Sequence, residues 1–299
     1  MGWLHTIDKF YTAALDILKG GYKGQNPKLI MTLLVKNEEL LLEKNLIFHR
    51  KMGVDAFIIT DNNSTDSTPE IIQRYVEKGW IVESIKEEGT NYDQKKWVDR
   101  MIWSAKKVHK ADWIINADAD EFWYSMDGNL KAEMCGWANV LKCRVVGVLP
   151  EDGVDFWKWD KVVRPIPEVK QYDLSNYTIF RRYTYKVAHS AARYLRISMG
   201  NHKVNMLFKR QMNSDITIYH YNVMGKKLFI EKMVNGGEQI EKNPKESVAR
   251  HWRYFYKLYK AGELENEYDR VIATQYHDEF SRLGYIYHDS NVADVLKDA

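Results

Sequence analysis

Four short runs of mostly apolar residues, separated by segments of helical periodicity, constrain the fold of this chain more than any other feature. The runs are Leu29–Val35, Ala56–Thr60, Trp80–Ile85 and Trp113–Ala117. Runs that are apolar at nearly every position are typical of strands buried on both faces, and strands that alternate with helices pair in parallel. We therefore predict an α/β fold with a mostly parallel sheet flanked by helices.

The intervening segments carry helix signals. Residues 3–18 place apolar side chains three and four apart, which predicts an amphipathic helix docked on the protein body, with a membrane surface as the alternative. Ser67–Glu70 has the spacing of a capping box with a proline in its first turn, which predicts a third helix. Helices are also predicted over 37–52 and 94–108, and the chain is predicted to be helical from Lys226 onward.

An acidic stretch follows the fourth run. Asn116, Asp118 and Asp120 alternate there with alanines, and because residues two apart in an extended chain point the same way, we predict that they project together. Asn37 and Asp61 follow the first two runs, so all five side chains are expected at the carboxyl edge of the sheet, where ligands bind. Paired carboxylates suit Mg2+ or Mn2+ with a substrate phosphate, and a solvated acidic turn is the alternative.

Composition excludes several classes of protein. The net charge of +3 comes from 44 basic and 41 acidic residues, a near balance that gives no nucleic-acid-binding signature. Apolar runs stay shorter than the roughly 18 residues of a membrane span, and the N-terminus has no secretory pattern. Cys135 and Cys143 lack metal-ligand spacing, which favours a reducing, cytoplasmic location. The absence of a Gly-x-Gly-x-x-Gly or Walker loop after the first run disfavours a dinucleotide or P-loop fold.

Three motifs, in this order and spacing, carry a family resemblance. Val35–Glu38, Asp61–Asp66 and Asn116–Phe122 resemble the nucleotide-sugar half of family 2 glycosyltransferases with the GT-A fold. Downstream residues also resemble the subgroup whose Asp-X-Asp motif is followed by Glu-Phe: His220, Tyr221, Phe229, Lys232 and Gly236. The resemblance covers about residues 28–240.

The resemblance implies a GT-A fold, a Rossmann-like sheet flanked by helices. Together with the helical patterns near both ends of the sequence, it predicts three parts of the chain. These are an N-terminal amphipathic helix (1–27), a glycosyltransferase domain (28–225) with a nucleotide-sugar half (28–124) and an acceptor half (125–225), and a helical C-terminal extension (226–299). The implied activity is inverting transfer of a hexose from a nucleoside diphosphate sugar, expected to be a UDP-sugar, with Mn2+ or Mg2+ as the cofactor. The implied acceptor is a glycan or lipid-linked saccharide in surface polysaccharide or glycoconjugate synthesis.

The resemblance also implies site residues. Those expected to bind the nucleotide are Val35, Asn37, Glu38, Asp61, Asn62 and Asp118. Many relatives have two consecutive acidic residues in this loop, whereas this chain has Asp61 followed by Asn62. Either of the two is therefore expected to contact the base. Those expected at the metal are Asp118, Asp120 and His220, with Asp118 at either the ribose or the metal and His220 at either the metal or the diphosphate.

Two further sets of residues are open on sequence alone. Lys95 and Lys96 begin the helix before the acidic strand and could neutralise phosphate, with a solvated helix face as the alternative. Inversion needs a base that deprotonates the acceptor hydroxyl, and the usual acidic pair downstream is not evident. The candidates for this base are Asp152, Glu151, His202 and His189. The two carboxylates follow a predicted strand over 142–149, although their segment is also typical of an ordinary turn.

Two rival functions accompany this hypothesis. A nucleotidyltransferase would share the sheet and the metal but normally has a glycine-rich loop after the first strand, and residues 33–38 contain no glycine. A non-catalytic sugar- or nucleic-acid-binding module would not need the aspartates. The aromatic, basic helices after Lys226 leave open a peripheral association with the inner face of the membrane or with a second subunit.

Overall fold

The computed structural model describes residues 3–18, 26–87, 94–167, 172, 174, 178–180, 185–242, 250–274 and 276–298. The chain forms two compact units. The first unit comprises residues 1–145, 185–218 and 295–299, and the second comprises 146–184 and 219–294. The boundaries after residues 145 and 218 each fall within a strand, so these two strands contribute residues to both units.

The α-helices of the described residues are α1 (Trp3–Leu18), α2 (Leu42–Lys51), α3 (Thr68–Glu77), α4 (Gln94–Lys107), α5 (Lys226–Lys242), α6 (Arg250–Lys260), α7 (Leu264–Tyr268), α8 (His277–Arg282) and α9 (Asn291–Leu296). The strands are β1 (Leu29–Val35), β2 (Ala56–Asp61), β3 (Ile81–Lys86), β4 (Trp113–Ala117), β5 (Glu121–Tyr124), β6 (Val140–Val148), β7 (Lys161–Val163), β8 (Tyr185–Ser190), β9 (Tyr194–Ile197), β10 (Val204–Met206), β11 (Gln211–His220) and β12 (Ile286–His288).

Four parallel strands in the order β3-β2-β1-β4 form the centre of the first unit. β1 pairs Val35 with Asp61 of β2 and Leu33 with Ala117 of β4, so the carboxyl ends of three strands lie at one edge. β2 is buried at every position and β1 at all but one, as their apolar runs predict. The prediction of an α/β fold with a parallel sheet core flanked by helices is confirmed.

Antiparallel strands extend this sheet beyond β4. β8 pairs with β4 and β6 pairs with β8, while β11 pairs with β5 and β6. β9 and β10 form a separate two-stranded sheet. The long connections between these partners explain why their pairing has no local sequence signal.

Asn116 and Thr32 form a polar pair inside the sheet. The two residues are directly paired between β4 and β1, and Thr32 Oγ1 donates to Asn116 Oδ1 at 2.7 Å. Both side chains are buried. The prediction that Asn116 projects together with Asp118 and Asp120 is therefore wrong, because the strand ends at Ala117 and the alternation of side chains ends with it.

One predicted helix start is wrong, and one predicted helix cap is formed by a different residue. α2 begins at Leu42 rather than Asn37, because Asn37 has a φ of 55° and this left-handed conformation is incompatible with a helix. α3 begins at Thr68, directly after Ser67 and with the proline in its first turn as predicted, but Ser67 makes no side-chain cap. Instead the carboxylate of Asp66 accepts from the N–H of Thr68 at 3.0 Å, so the capping group lies one residue earlier.

α1 docks on the first unit through buried polar contacts as well as apolar ones. Ala13 is fully buried, and Lys9 forms a buried ion pair with Asp99 of α4. The hydroxyl of Tyr194 donates to the same carboxylate at 2.7 Å. One face of the helix is thus committed to the protein body.

The second unit has its own core, in which β7 and β12 pack with the helices from α5 to α8. The end of β6 pairs with β7, and β12 pairs antiparallel with β7. The prediction of a wholly helical chain after Lys226 is wrong at β12. Strand formation depends on packing and pairing more than on local pattern, and here β7 provides the pairing partner. Gly236 and Gly237 let α5 approach α6, since a Cβ on Gly237 would lie 2.2 Å from Cγ of Tyr256.

Among the helices that the structure describes, none is long and apolar enough to cross a bilayer. Cys143 is a buried free thiol, and burial raises its pKa to about 12, so it behaves as an apolar core residue. The side chain of Cys135 lies outside the described residues.

Candidate functional site

The acidic residues lie in a turn between β4 and β5. The N–H of Glu121 donates to the carbonyl of Asp118 at 3.1 Å and closes this turn. The Asp118 side chain is 40% exposed, whereas Asp120 is 9% exposed and Glu121 is fully buried. We call residues 118–121 the acidic turn. It presents one accessible carboxylate and two nearly buried ones beyond the carboxyl end of β4.

Lys186 of β8 inserts its ammonium group into the acidic turn. The antiparallel register of β8 with β4 carries Lys186 to the strand end where the turn begins. Lys186 Nζ lies 2.7 Å from Asp118 Oδ2 and forms a second ion pair with Glu121. Burial alone would lower the pKa of Lys186, but the charges of Asp118 and Glu121 outweigh it, so the pKa lies above its usual value and the lysine stays charged.

Two polar residues of α2 hold the backbone of the acidic turn. Asn45 Nδ2 donates to the carbonyls of Ala119 and Glu121, each at 2.9 Å. One helical turn later, His49 Nε2 accepts from the N–H of Trp123 at 3.0 Å. Because Nδ1 of His49 lies 2.9 Å from the carbonyl of Asn45, Nδ1 carries the proton. Burial lowers the pKa of His49 to about 3, which keeps the ring neutral.

The loops that follow β1 and β2 bind one another at the same edge of the sheet. The N–H of Asn37 donates to Ser64 Oγ at 2.9 Å, and Asn37 Oδ1 accepts from the N–H of Thr65 at 2.8 Å. The N–H of Asn62 donates to the carbonyl of Val35 at 2.8 Å. These contacts fix the two polar loops as one surface next to β1.

The predicted nucleotide residues differ in what they expose at this surface. Asn37 is exposed and Glu38 half-buried, whereas Val35, Asp61 and Asn62 are buried. Oδ1 of Asp61 accepts from the N–H of Ser64 at 3.0 Å, so this carboxylate shapes its own loop. Contact between these residues and a nucleotide stays a prediction.

Lys95 and Lys96 are both exposed on the first turn of α4. The segment just before this helix, 88–93, lies outside the described residues. An exposed position on a first turn is equally typical of a solvated helix face. A phosphate contact for these lysines stays a prediction.

The four candidate bases occupy different surroundings. In the second unit Glu151 and Asp152 lie in a turn closed by the N–H of Val154, with Asp152 exposed. In the first unit His189 is fully buried, and its ring stacks on that of Tyr194. Burial lowers the pKa of His189 to about 4. An imidazole without solvent access cannot reach an acceptor hydroxyl, so His189 fits a core role.

His202 is exposed and its tautomer is fixed. Its Nδ1 lies 2.7 Å from the carbonyl of Tyr185, which immediately precedes Lys186. Because a carbonyl only accepts, Nδ1 carries the proton and Nε2 is the basic nitrogen of the ring. Gly200 makes room for this ring: its φ is +67°, and a Cβ there would lie 2.8 Å from His202 Nε2.

The donor set of the acidic turn fits a divalent cation. Asp120 and Glu121 offer carboxylate oxygens that could ligate a metal ion. Against the three carboxylates of the turn, Lys186 supplies a single ammonium. Hard oxygen ligands with excess negative charge suit Mg2+ or Mn2+. His220, the third predicted ligand, is the last residue of β11, the strand that pairs with β5.

Comparison with known proteins gives distant likenesses. No protein-family model matches the chain. A glycosyltransferase family 92 protein of Ricinus communis is 23% identical over 141 residues, which cover 42% of this chain and 23% of that protein. The chain thus spans less than a quarter of the length of this curated relative.

Among solved structures, the mannosyltransferase PcManGT from Pyrobaculum calidifontis in complex with GDP-Man and Mn2+ is 13% identical, with a TM-score of 0.41 over 93% of this chain and 86% of that one. S. aureus TarS 1–349 in complex with UDP is 16% identical, with a TM-score of 0.42 over 85% and 75% of the two chains. Likenesses of this degree do not establish a function. The relative from Ricinus is named as a glycosyltransferase, the class that the sequence motifs resemble.

Proposed function

We propose that this protein is a metal-dependent, inverting glycosyltransferase of the GT-A type and of family 2, which moves a hexose from a UDP-sugar to a glycan or lipid-linked saccharide. The observation that carries the proposal is the acidic turn at the carboxyl edge of a parallel sheet, next to the joined loops of Asn37 and Ser64. This edge is where open α/β sheets bind their ligands. The family resemblance of these same segments supports a nucleotide sugar as the ligand.

Each part of the site has a role in this proposal. Asn37, Glu38 and the loop of Asp61 and Asn62 bind the nucleoside, while the partly exposed carboxylate of Asp118 binds the ribose of the donor. Asp120 holds Mn2+ or Mg2+, and a role of His220 as a further metal or diphosphate contact stays a prediction. A metal bound there supplies Lewis-acid stabilisation of the charge on the departing diphosphate.

Among the candidate bases, His202 fits its role best. The carbonyl of Tyr185 fixes the imidazole with Nε2 basic, as a general base requires. Nε2 would take the proton of the acceptor hydroxyl as its oxygen attacks the anomeric carbon and the diphosphate leaves. Glu151 and Asp152 remain the alternative. Peripheral membrane association of the helices after Lys226 stays a prediction.

The proposal is tested by calorimetric titration of UDP, GDP and dTDP into the purified protein, with Mn2+ and with a chelator. We expect UDP to bind only with metal, and Asp120→Asn to lower its affinity by at least about tenfold, a loss that even outer-sphere changes cause at metal sites. Asp127→Asn, at an exposed aspartate near the same turn, is the matched control and should bind like the native chain. Absence of nucleotide binding under every condition would refute a nucleotide-sugar enzyme.

A further inference from the structure

Lys186 is a buried cation that pairs with carboxylates of the acidic turn. It is not one of the residues that the sequence motifs single out. Its side chain is 6% exposed, and its neighbours in β8, Val187 and Ala188, are core residues. β8 therefore places the charged ammonium group of Lys186 in the core, next to the carboxylates of Asp118 and Glu121. A lysine is almost never buried in this way unless it is paired.

Lys186 forms ion pairs with two carboxylates of the acidic turn. The ammonium group engages Asp118 Oδ2 and the Glu121 carboxylate. A divalent ion that enters this turn therefore meets carboxylates that already share a positive charge. Its approach is opposed by the ammonium group, because like charges repel strongly where water is scarce.

We infer that Lys186 is a built-in cation that competes with the divalent metal for the acidic turn and keeps Asp118 out of the metal's coordination. The inference rests on the proposed function and concerns how that site is loaded. The metal alone binds weakly, because the lysine already neutralises part of the turn. A nucleotide diphosphate adds negative charge, so the metal and the diphosphate bind together rather than one after the other.

The direct test is titration of Mn2+ alone, followed by electron paramagnetic resonance of the free ion. Lys186→Met keeps the length of the side chain and removes its charge, and it should bind Mn2+ at least about tenfold more tightly than the native chain, since one nearby charge shifts an equilibrium by that factor or more. Lys186→Arg keeps the charge and should stay close to native. Lys142→Met is the matched control: Lys142 lies on β6 with its ammonium group over the ring of Tyr185, so this variant removes a charge from a neighbouring strand and should not change the affinity.

A second variant tests whether Asp118 is a metal ligand, without removing the lysine. If Asp118 is the partner of Lys186 and not a metal ligand, Asp118→Asn should change the Mn2+ affinity by less than about threefold, whereas loss of a true ligand, as in Asp120→Asn, should cost at least about tenfold. Melting temperatures give an independent readout. Mn2+ should raise the melting temperature of Lys186→Met more than that of the native chain, because the metal replaces the missing ammonium.

Equal or weaker Mn2+ binding by Lys186→Met would overturn the inference, as would an equal loss in Asp118→Asn and Asp120→Asn. If Lys186→Met does not fold, the Asp118→Asn comparison decides alone. These outcomes are distinct from failure of the proposed function, which is read from nucleotide titrations of the native chain. A native protein that binds Mn2+ but no nucleotide would refute the glycosyltransferase and leave the competition between lysine and metal standing.

Discussion

His49 Nε2 accepts a hydrogen bond from the backbone N–H of Trp123, although the two residues are 74 positions apart. This bond and those of Asn45 make α2 the support of the acidic turn. The geometry of the candidate metal site is therefore set by a helix that contributes no ligand to it.

We expect His49→Phe to destabilise the protein by about 1–3 kcal/mol, because the buried N–H of Trp123 loses its acceptor. The change should also weaken Mn2+ binding, since the turn is then less fixed. Urea unfolding and Mn2+ titration measure the two effects. His288→Phe, at a largely exposed histidine, is the control and should leave both unchanged. Native stability in His49→Phe would show that the turn needs no support from α2.

Lys9 and Asp99 should be strongly coupled. Removal of one partner leaves the other charge buried, so we expect Lys9→Met and Asp99→Asn each to cost about 3–5 kcal/mol. The double variant should cost clearly less than the sum of the two. A double-mutant cycle from urea unfolding measures this coupling. Strict additivity would mean that α1 docks by apolar contacts alone.

The close contact of α5 with α6 depends on Gly237. We expect Gly237→Ala to destabilise the second unit, because its Cβ would meet the base of the Tyr256 ring, and overpacking of this kind costs about 1–3 kcal/mol. Alanine recovers up to about 1 kcal/mol of helix propensity, so the net loss is smaller. Asn235→Ala, at an exposed position of the same helix, gains propensity without the clash. Equal stability of the two variants would show that the helices separate at no cost.

Buried histidines predict a loss of stability in acid. The pKa of His189 is about 4 and that of His49 about 3 in the folded chain, both because of burial, against 6.5 in the unfolded chain. Below pH 6.5 the unfolded chain binds protons that the folded chain does not. The free energy of unfolding should therefore fall as the pH is lowered from 6.5 to about 4, by about 1.4 kcal/mol per pH unit for each histidine. Urea unfolding of His189→Phe should show a shallower pH dependence than the native chain, and an identical slope would contradict this origin.

His202 should affect turnover rather than donor binding. We expect His202→Gln to keep native affinity for the nucleotide and to lower the transfer rate by about 100-fold or more, the usual contribution of a general base. Lys203→Gln, at the exposed neighbouring residue, is the control. Gly200→Ala should reproduce part of the loss, because its Cβ displaces the imidazole. A native rate in His202→Gln would move the role to Glu151 or Asp152.

The parallel half of the sheet could be predicted from sequence because β1, β2 and β4 each carry their whole signal within a few apolar residues. The acidic turn could be located for the same reason. Lys186 could not, since its partners lie more than 60 residues away and only the pairing of β8 with β4 brings them together. Asn45 and His49 did leave a signal: with Leu42 and Leu46 they place two polar residues on the buried face of α2, where unpaired polar groups are costly.

Thr32 and Asn116 act as an alignment mark within the sheet. A slip of one residue between β1 and β4 would separate the side chains of Thr32 and Asn116 and leave each next to apolar neighbours. The hydrogen bond between them therefore stabilises one register of the two strands. Because β4 ends three residues before Asp120, the register of β4 in the core fixes where Asp120 lies beyond the edge of the sheet. The sequences of those loops can then vary without moving the carboxylates.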